Sequence, residues 1–209
     1  MNKKFLIAAI LLCIGLLCLV PFVFSNKNRK IDRGDIFGEI YAYEKANYPN
    51  PNPAFQRIQG LSSRSYRDSG EEFRTMAAES YSKNVIPKGY EHVGVSFSFR
   101  SKGTVLIAYD RKVAPNLSLY VYHKYSVEDK TLTQDISFVD EQNNRVRIRN
   151  KGEVKKLLTQ YSITNEDIKK YNKEILNDFF LRDWCKAFDS AFTPNDWGDV
   201  KVVDKWDKS

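Results

Sequence analysis

The sequence predicts an α+β chain: an N-terminal transmembrane helix, then one domain in which an antiparallel five-stranded β-meander is flanked by helices on one face. Three observations carry this. The run from Phe5 to Phe24 is apolar and uncharged, residues Tyr90 to Arg149 repeat with a period of two, and the segments on either side return to a spacing of three or four. Helices that precede and follow a sheet, rather than alternating with its strands, mark the α+β class.

The N-terminus comes first. After Lys3 and Lys4, residues 5–24 would form a helix spanning roughly 30 Å, the thickness of a bilayer hydrocarbon core. A cleaved export signal also opens with a short basic stretch, but it ends in small residues. Here the run closes on Val20-Pro21-Phe22-Val23-Phe24, and both Cys13 and Cys18 follow Leu, so an uncleaved single-pass anchor over 1–24 is the preferred reading. A basic stalk follows at 25–34, and one domain occupies 35–209. Lys27, Arg29, Lys30 and Arg33 outweigh Lys3 and Lys4, which by the positive-inside rule would keep the domain inside. Long domains, however, cross largely regardless of such charges.

Within the domain, Ile36, Ile40, Tyr43 and Ala46 predict a helix over 35–47. Pro49, Pro51 and Pro53 then predict an extended connection. Ser69-Gly70-Glu71-Glu72 reads as a capping box opening a helix to about Asn84. Five strands follow, near 90–100, 103–111, 117–127, 131–139 and 145–150, and their short turns imply antiparallel pairing. Val154, Leu157, Leu158 and Tyr161 mark a short helix. Thr164 with Asp167 caps a longer one, whose stripe runs Ile168, Tyr171, Ile175, Phe179, Arg182, Trp184 and Phe188. Val200, Val202 and Trp206 suit a last edge strand.

Motifs for catalysis are missing. His92 and His123 have no metal-ligand spacing around them, and either could face the core or the polar side depending on register. Cys185 has no base in sequence relation to it, so it reads as a buried structural thiol. Asn195-Asp196-Trp197-Gly198-Asp199 does not fit a calcium loop and reads as a turn. The residues therefore point to no enzyme and no cofactor. The net charge of +7 is interspersed with acidic residues, which argues against a nucleic-acid footprint, and nothing points to a small-molecule substrate. A protein that is neither enzyme nor nucleic-acid binder acts by contact.

One surface fits that role. If Val93, Val95, Phe97, Leu119, Val121, Ile136, Phe138, Val146 and Ile148 face the helices, the opposite face carries Ser96, Ser98, Arg100, Tyr120, Tyr122, Lys124, Thr133, Asp135, Ser137, Arg145, Arg147 and Arg149. Tyr and Arg are enriched where proteins bind one another. The candidate partner-binding set is Ser98, Arg100, Tyr120, Tyr122, Lys124, Asp135, Arg145, Arg147 and Arg149. An ordinary solvated sheet face is the alternative. Three arginines on one strand would repel each other, and an acidic partner would relieve that.

The chain opens its domain with Asp35-Ile36-Phe37-Gly38-Glu39-Ile40-Tyr41. It closes with Asn177-Asp178-Phe179-Phe180-Leu181-Arg182-Asp183-Trp184-Cys185, then Phe192, Gly198-Asp199-Val200 and Trp206. This arrangement resembles the TipC family of immunity proteins of streptococci and related Gram-positive bacteria. The resemblance implies a domain on the outer face of the cytoplasmic membrane. There it would bind and neutralise a cognate toxin that is exported by a type VII secretion system and attacks the lipid-linked cell-wall precursor. It implies a concave binding face and transfers no catalytic residue. A scaffold or sensor subunit of an envelope complex, or an envelope hydrolase, are the other readings.

Overall fold

Alternating apolar residues from Tyr90 onward build a run of long antiparallel strands, and the computed structural model describes residues 34–47, 52–64, 75–99, 102–142 and 145–204. The strands are β1 (Leu61–Arg64), β2 (Thr75–Tyr81), β3 (Tyr90–Ser98), β4 (Thr104–Ala114), β5 (Leu117–Ser126), β6 (Thr131–Asp140), β7 (Val146–Ile148) and β8 (Lys201–Asp204). They form one eight-stranded sheet in the order β1 to β7, each strand antiparallel to the next, with β8 added parallel to β6. β7 lies against Phe138–Asp140 and β8 against Thr131–Gln134, so both share one edge of β6.

The helices cover one face. They are α1 (Ile36–Asn47), α2 (Lys151–Gln160), α3 (Asn165–Asn172) and α4 (Arg182–Phe188), with α3 and α4 joined through a π-helical stretch, Lys173–Leu181. Thr164 caps α3 as the sequence suggests: its hydroxyl accepts from the Asp167 N–H at 3.2 Å, while the Asp167 carboxylate accepts the Thr164 N–H at 2.9 Å. The wide turns of the π stretch bring Ile175, Leu176, Phe179, Phe180 and Leu181 all into the interior, which a 3.6-residue period would not do.

These helices meet Val93, Val95, Phe97, Val105, Ile107, Tyr109, Leu119, Val121, Tyr125, Leu132, Ile136 and Phe138, all buried. Trp184 is fully enclosed and stacks on Phe188 at 3.5 Å between ring centroids, with Tyr43 of α1 against its edge. Asp35 pins α1: its carboxylate accepts the Tyr125 hydroxyl at 2.6 Å and the Gly38 N–H at 2.7 Å. The tail closes over that point, with the Ile36 N–H donating to the Trp197 carbonyl and the Asp199 N–H to the Gly34 carbonyl. Gly198 permits the crossing, since its φ is +71° and a Cβ there would collide with the Gly34 carbonyl oxygen.

Several expectations are corrected. The sheet has eight strands, because β1, β2 and β8 extend the five strands read from the 90–150 region. The helix expected to run to Asn84 is instead β2, paired between β1 and β3 with a register shift between Thr75 and Ala77. Its capping residues 69–72 lie outside the described residues. Pro53 opens a 3₁₀ turn, Pro53–Arg57, rather than an extended link, while Pro49 and Pro51 lie outside the described residues. Val146 does not face the helices but is exposed. Finally, no helix of the described residues is long and apolar enough to cross a membrane. That finding overturns the single-pass anchor as a feature of the fold, and with it the membrane location drawn from it. The segment 1–24 itself lies outside the described residues, as do the stalk up to residue 33 and Trp206.

Candidate partner-binding face

The sheet face away from the helices is made by the residues that alternate with the core. On β5, Tyr120, Tyr122 and Lys124 interleave with buried Leu119, Val121, His123 and Tyr125. Register then fixes the neighbours: Tyr120 lies between Asp110 of β4 and Ser137 of β6, and Tyr122 between Ala108 and Asp135. The rings of Tyr120 and Tyr122 stand 6.2 Å apart. Ser98 ends β3 opposite Thr104, partly exposed. Lys124 is exposed at the far end of the tyrosine row. Arg100 lies outside the described residues.

The arginines do not form the self-repelling row that their spacing suggests. β7 is only three residues long, so Arg145 and Arg149 lie just beyond its two ends. Arg145, at φ +61°, turns its guanidinium onto Asp110 at 2.9 Å. Arg147 lies over the Tyr120 ring, 3.6 Å from its centroid, a close cation–π contact. Arg149 is exposed, with no carboxylate partner among the described residues. Two of the three are therefore relieved within the protein itself.

Asp110 is the residue that the sequence reading passed over. Val105, Ile107 and Tyr109 point inward, so Asp110 must lie on the open face, yet it is only 2 % exposed. Burial raises its carboxyl pKa above the ordinary value, while His92, Arg145 and Arg147 pull it back. An acid placed on a Tyr/Arg-rich face by strand alternation was the available signal. His92, left open between core and surface by the sequence, pairs in register with Asp110 and reaches Ser80 Oγ at 3.2 Å. His123 takes the opposite face: it is buried, and desolvation lowers its pKa to about 4. Its ring contacts Gln134 at 3.3 Å, Asn172 donates to the same Gln134 oxygen, and Tyr109 donates to Asn172 at 2.8 Å. Cys185 is half-buried, and burial raises its pKa, the opposite of an activated thiol.

A cavity of about 160 Å³ opens on the sheet face between Tyr122, Asp135, Ile136, Ser137, Arg147 and Arg149. Burial raises the Tyr122 phenol's pKa, and the Asp135 carboxylate, its register partner on β6, raises it further. The Asp135 carboxylate accepts the Ile136 N–H at 2.9 Å. Larger cavities lie elsewhere. One of about 420 Å³ is lined by Arg57, Arg182, Asp183 and Lys186 among others, and one of about 440 Å³ by Asn165, Lys169, Asn172, Asn177 and Trp197 among others. A carboxylate-pair hydrolase needs two convergent acids. Asp183, the one acid lining the first of these, is bonded to Arg182 at 2.8 Å, and none lines the second. No group of three His, Cys, Asp or Glu side chains is placed to share a metal ion among the described residues.

The profile of the TipC immunity protein-like family matches residues 2–205. Comparison with curated proteins finds no match. Among solved structures, TipC2 from Streptococcus intermedius B196 is similar at a TM-score of 0.77 and 27 % identity, over 84 % of this chain and 98 % of that one. Of the residues that carried the resemblance, Asp35 and Phe37 tie α1 to Tyr125 of the sheet, Trp184 packs against Tyr43 of α1, and Gly198 lets the tail cross at Gly34. With the profile covering nearly its whole length, the chain belongs to the TipC immunity protein-like family.

Proposed function

We propose that this chain is an immunity protein that binds a cognate antibacterial protein toxin through its open sheet face and neutralises it by occlusion, without catalysis. Family membership supports the immunity role. The observation that carries the choice of face is the cluster around Tyr120: an aromatic row crossed by Arg147 and edged by exposed Arg149 and Lys124, on a sheet whose other face is sealed by helices. Aromatic and arginine side chains supply large contact area with polar tips, and surplus positive charge speeds encounter with an acidic surface. A rigid eight-stranded platform holds them in place at little ordering cost on binding. The family resemblance further points to a toxin of the type VII-exported class.

The test is capture. The full chain, mixed with the toxin encoded beside its gene, should form a stoichiometric complex and abolish the toxin's activity, while Arg147→Glu and Tyr122→Ala weaken the complex without unfolding the chain. Normal binding by both variants would show that another face is used. Failure to bind or protect against any neighbouring toxin would end the immunity reading for this chain.

A further inference from the structure

We infer that the 160 Å³ cavity beside β6 is a socket for a single carboxylate side chain of the partner protein, gripped by Arg147, Arg149 and Ser137. This rests on the proposed binding face and specifies what that face recognises.

Several groups around the cavity have no hydrogen-bond or carboxylate partner within the described residues. The Ser137 hydroxyl is buried, in a residue 4 % exposed, and has no hydrogen-bond partner among the described residues. Buried polar atoms are normally paired, so an orphaned hydroxyl lining a cavity calls for an occupant. Arg147 contacts the Tyr120 ring face, which leaves the edges of its guanidinium free of any carboxylate among the described residues. Arg149, across the cavity, has none either. The one acid in the wall, Asp135, accepts the Ile136 N–H at 2.9 Å. The cavity therefore sets the two positive charges of Arg147 and Arg149 against one negative.

A ligand that offsets this surplus and accepts from guanidinium N–H groups is an anion with acceptor oxygens. Guanidinium groups match a carboxylate in forked geometry. The size restricts it further, since small-molecule sites run from about 300 Å³ upward and this one holds a side chain. Its position settles the source. It opens on the aromatic platform beside Tyr122 rather than in a cleft, so a carboxylate entering it is delivered by a protein surface laid against the sheet.

The experiment uses the full chain and follows the Nε–H signals of Arg147 and Arg149 by NMR during titration with sodium acetate, with sodium chloride and inorganic phosphate as controls at equal ionic strength. Saturable shifts of both arginines with acetate are expected, weakened at least threefold in Ser137→Ala and at least tenfold in Arg149→Met. Shifts no different from chloride would overturn the socket, and so would saturation by phosphate but not acetate. Capture of the toxin separates this inference from its parent. If Arg149→Met binds toxin as well as the parent chain while Tyr122→Ala does not, the face stands and the socket falls. If no toxin is captured although acetate saturates, the protein occupant is refuted and only an anion site is left.

Discussion

The two faces of the sheet are made from the same strands, and they place their polar groups in different settings. On the helix-covered side, His123, Gln134, Asn172 and Tyr109 form a chain of hydrogen bonds and Asp35 and Glu39 are fully buried with donors placed on them, while His123 Nδ1 and both Glu44 oxygens make no well-formed hydrogen bond among the described residues. On the open side, Ser137 has no partner among the described residues, Asp110 leaves one buried oxygen unbonded, and Arg149 carries no counter-charge. An unmet group sealed under the helices is a standing cost to stability, because water cannot reach it. An unmet donor on the open face, at the end of a rigid aromatic row, is one that a second protein can use. That difference in access separates groups that weigh on folding from groups available for contact.

Trp184 carries the most weight on the helix-covered side. Trp184→Ala removes the largest fully buried side chain and its stack on Phe188, and it should cost about 3–5 kcal/mol in denaturant unfolding. Toxin affinity, measured on the folded fraction, should be unchanged.

Next in size is acid. The folded-state pKa of His123, about 4, lies below its unfolded value. The unfolded chain therefore takes the proton first, and stability falls as pH drops from about 6.5 to about 4, by on the order of 3 kcal/mol. Glu44 acts in the other sense. It is 1 % exposed, neither carboxylate oxygen makes a well-formed hydrogen bond among the described residues, and burial raises its pKa to about 7 against slight relief from the Asn52 amide. Its contribution is present at low pH and lost as pH rises through about 7. The two slopes offset each other in the intact chain. Glu44→Gln should therefore unmask the acid loss, seen as a urea midpoint that falls steadily below pH 6.5.

On the open face the expected effects are on binding. Arg147→Glu or Tyr122→Ala should weaken the toxin complex by about 2 kcal/mol, roughly thirtyfold by calorimetry, with the melting temperature nearly unchanged. Smallest is Arg145→Ala, which strips the close cation from buried Asp110. His92 and Arg147 remain nearby and Arg145 itself is largely exposed, so a loss of about 1 kcal/mol in stability is expected.

Much of this contrast was legible in the sequence wherever a local rule and the tertiary environment agreed. Alternation placed Tyr120, Tyr122 and Asp135 on one face and Leu119, Val121 and Ile136 on the other, and the Thr164–Asp167 cap located α3. It failed where long-range pairing decides. Thr75–Tyr81 has helix-compatible composition, yet it becomes a strand because β1 and β3 each offer it an edge. The spacing of Arg145, Arg147 and Arg149 suggested repulsion, because neither Asp110 nor the Tyr120 ring is near them in sequence. The wide turns of Lys173–Leu181 left no trace in a stripe that fits an ordinary helix. Ser137 sat among the face residues, but only the cavity geometry shows that its hydroxyl has no bond.

The central claim is that one face of the sheet binds and the other supports. The most direct measurement is toxin affinity for paired charge reversals, Arg147→Glu on the open face against Lys169→Glu on the helix layer, each in the full chain with folding checked by thermal unfolding. The account predicts at least a tenfold loss for Arg147→Glu and no change for Lys169→Glu. Equal losses, or a loss only for Lys169→Glu, would contradict it.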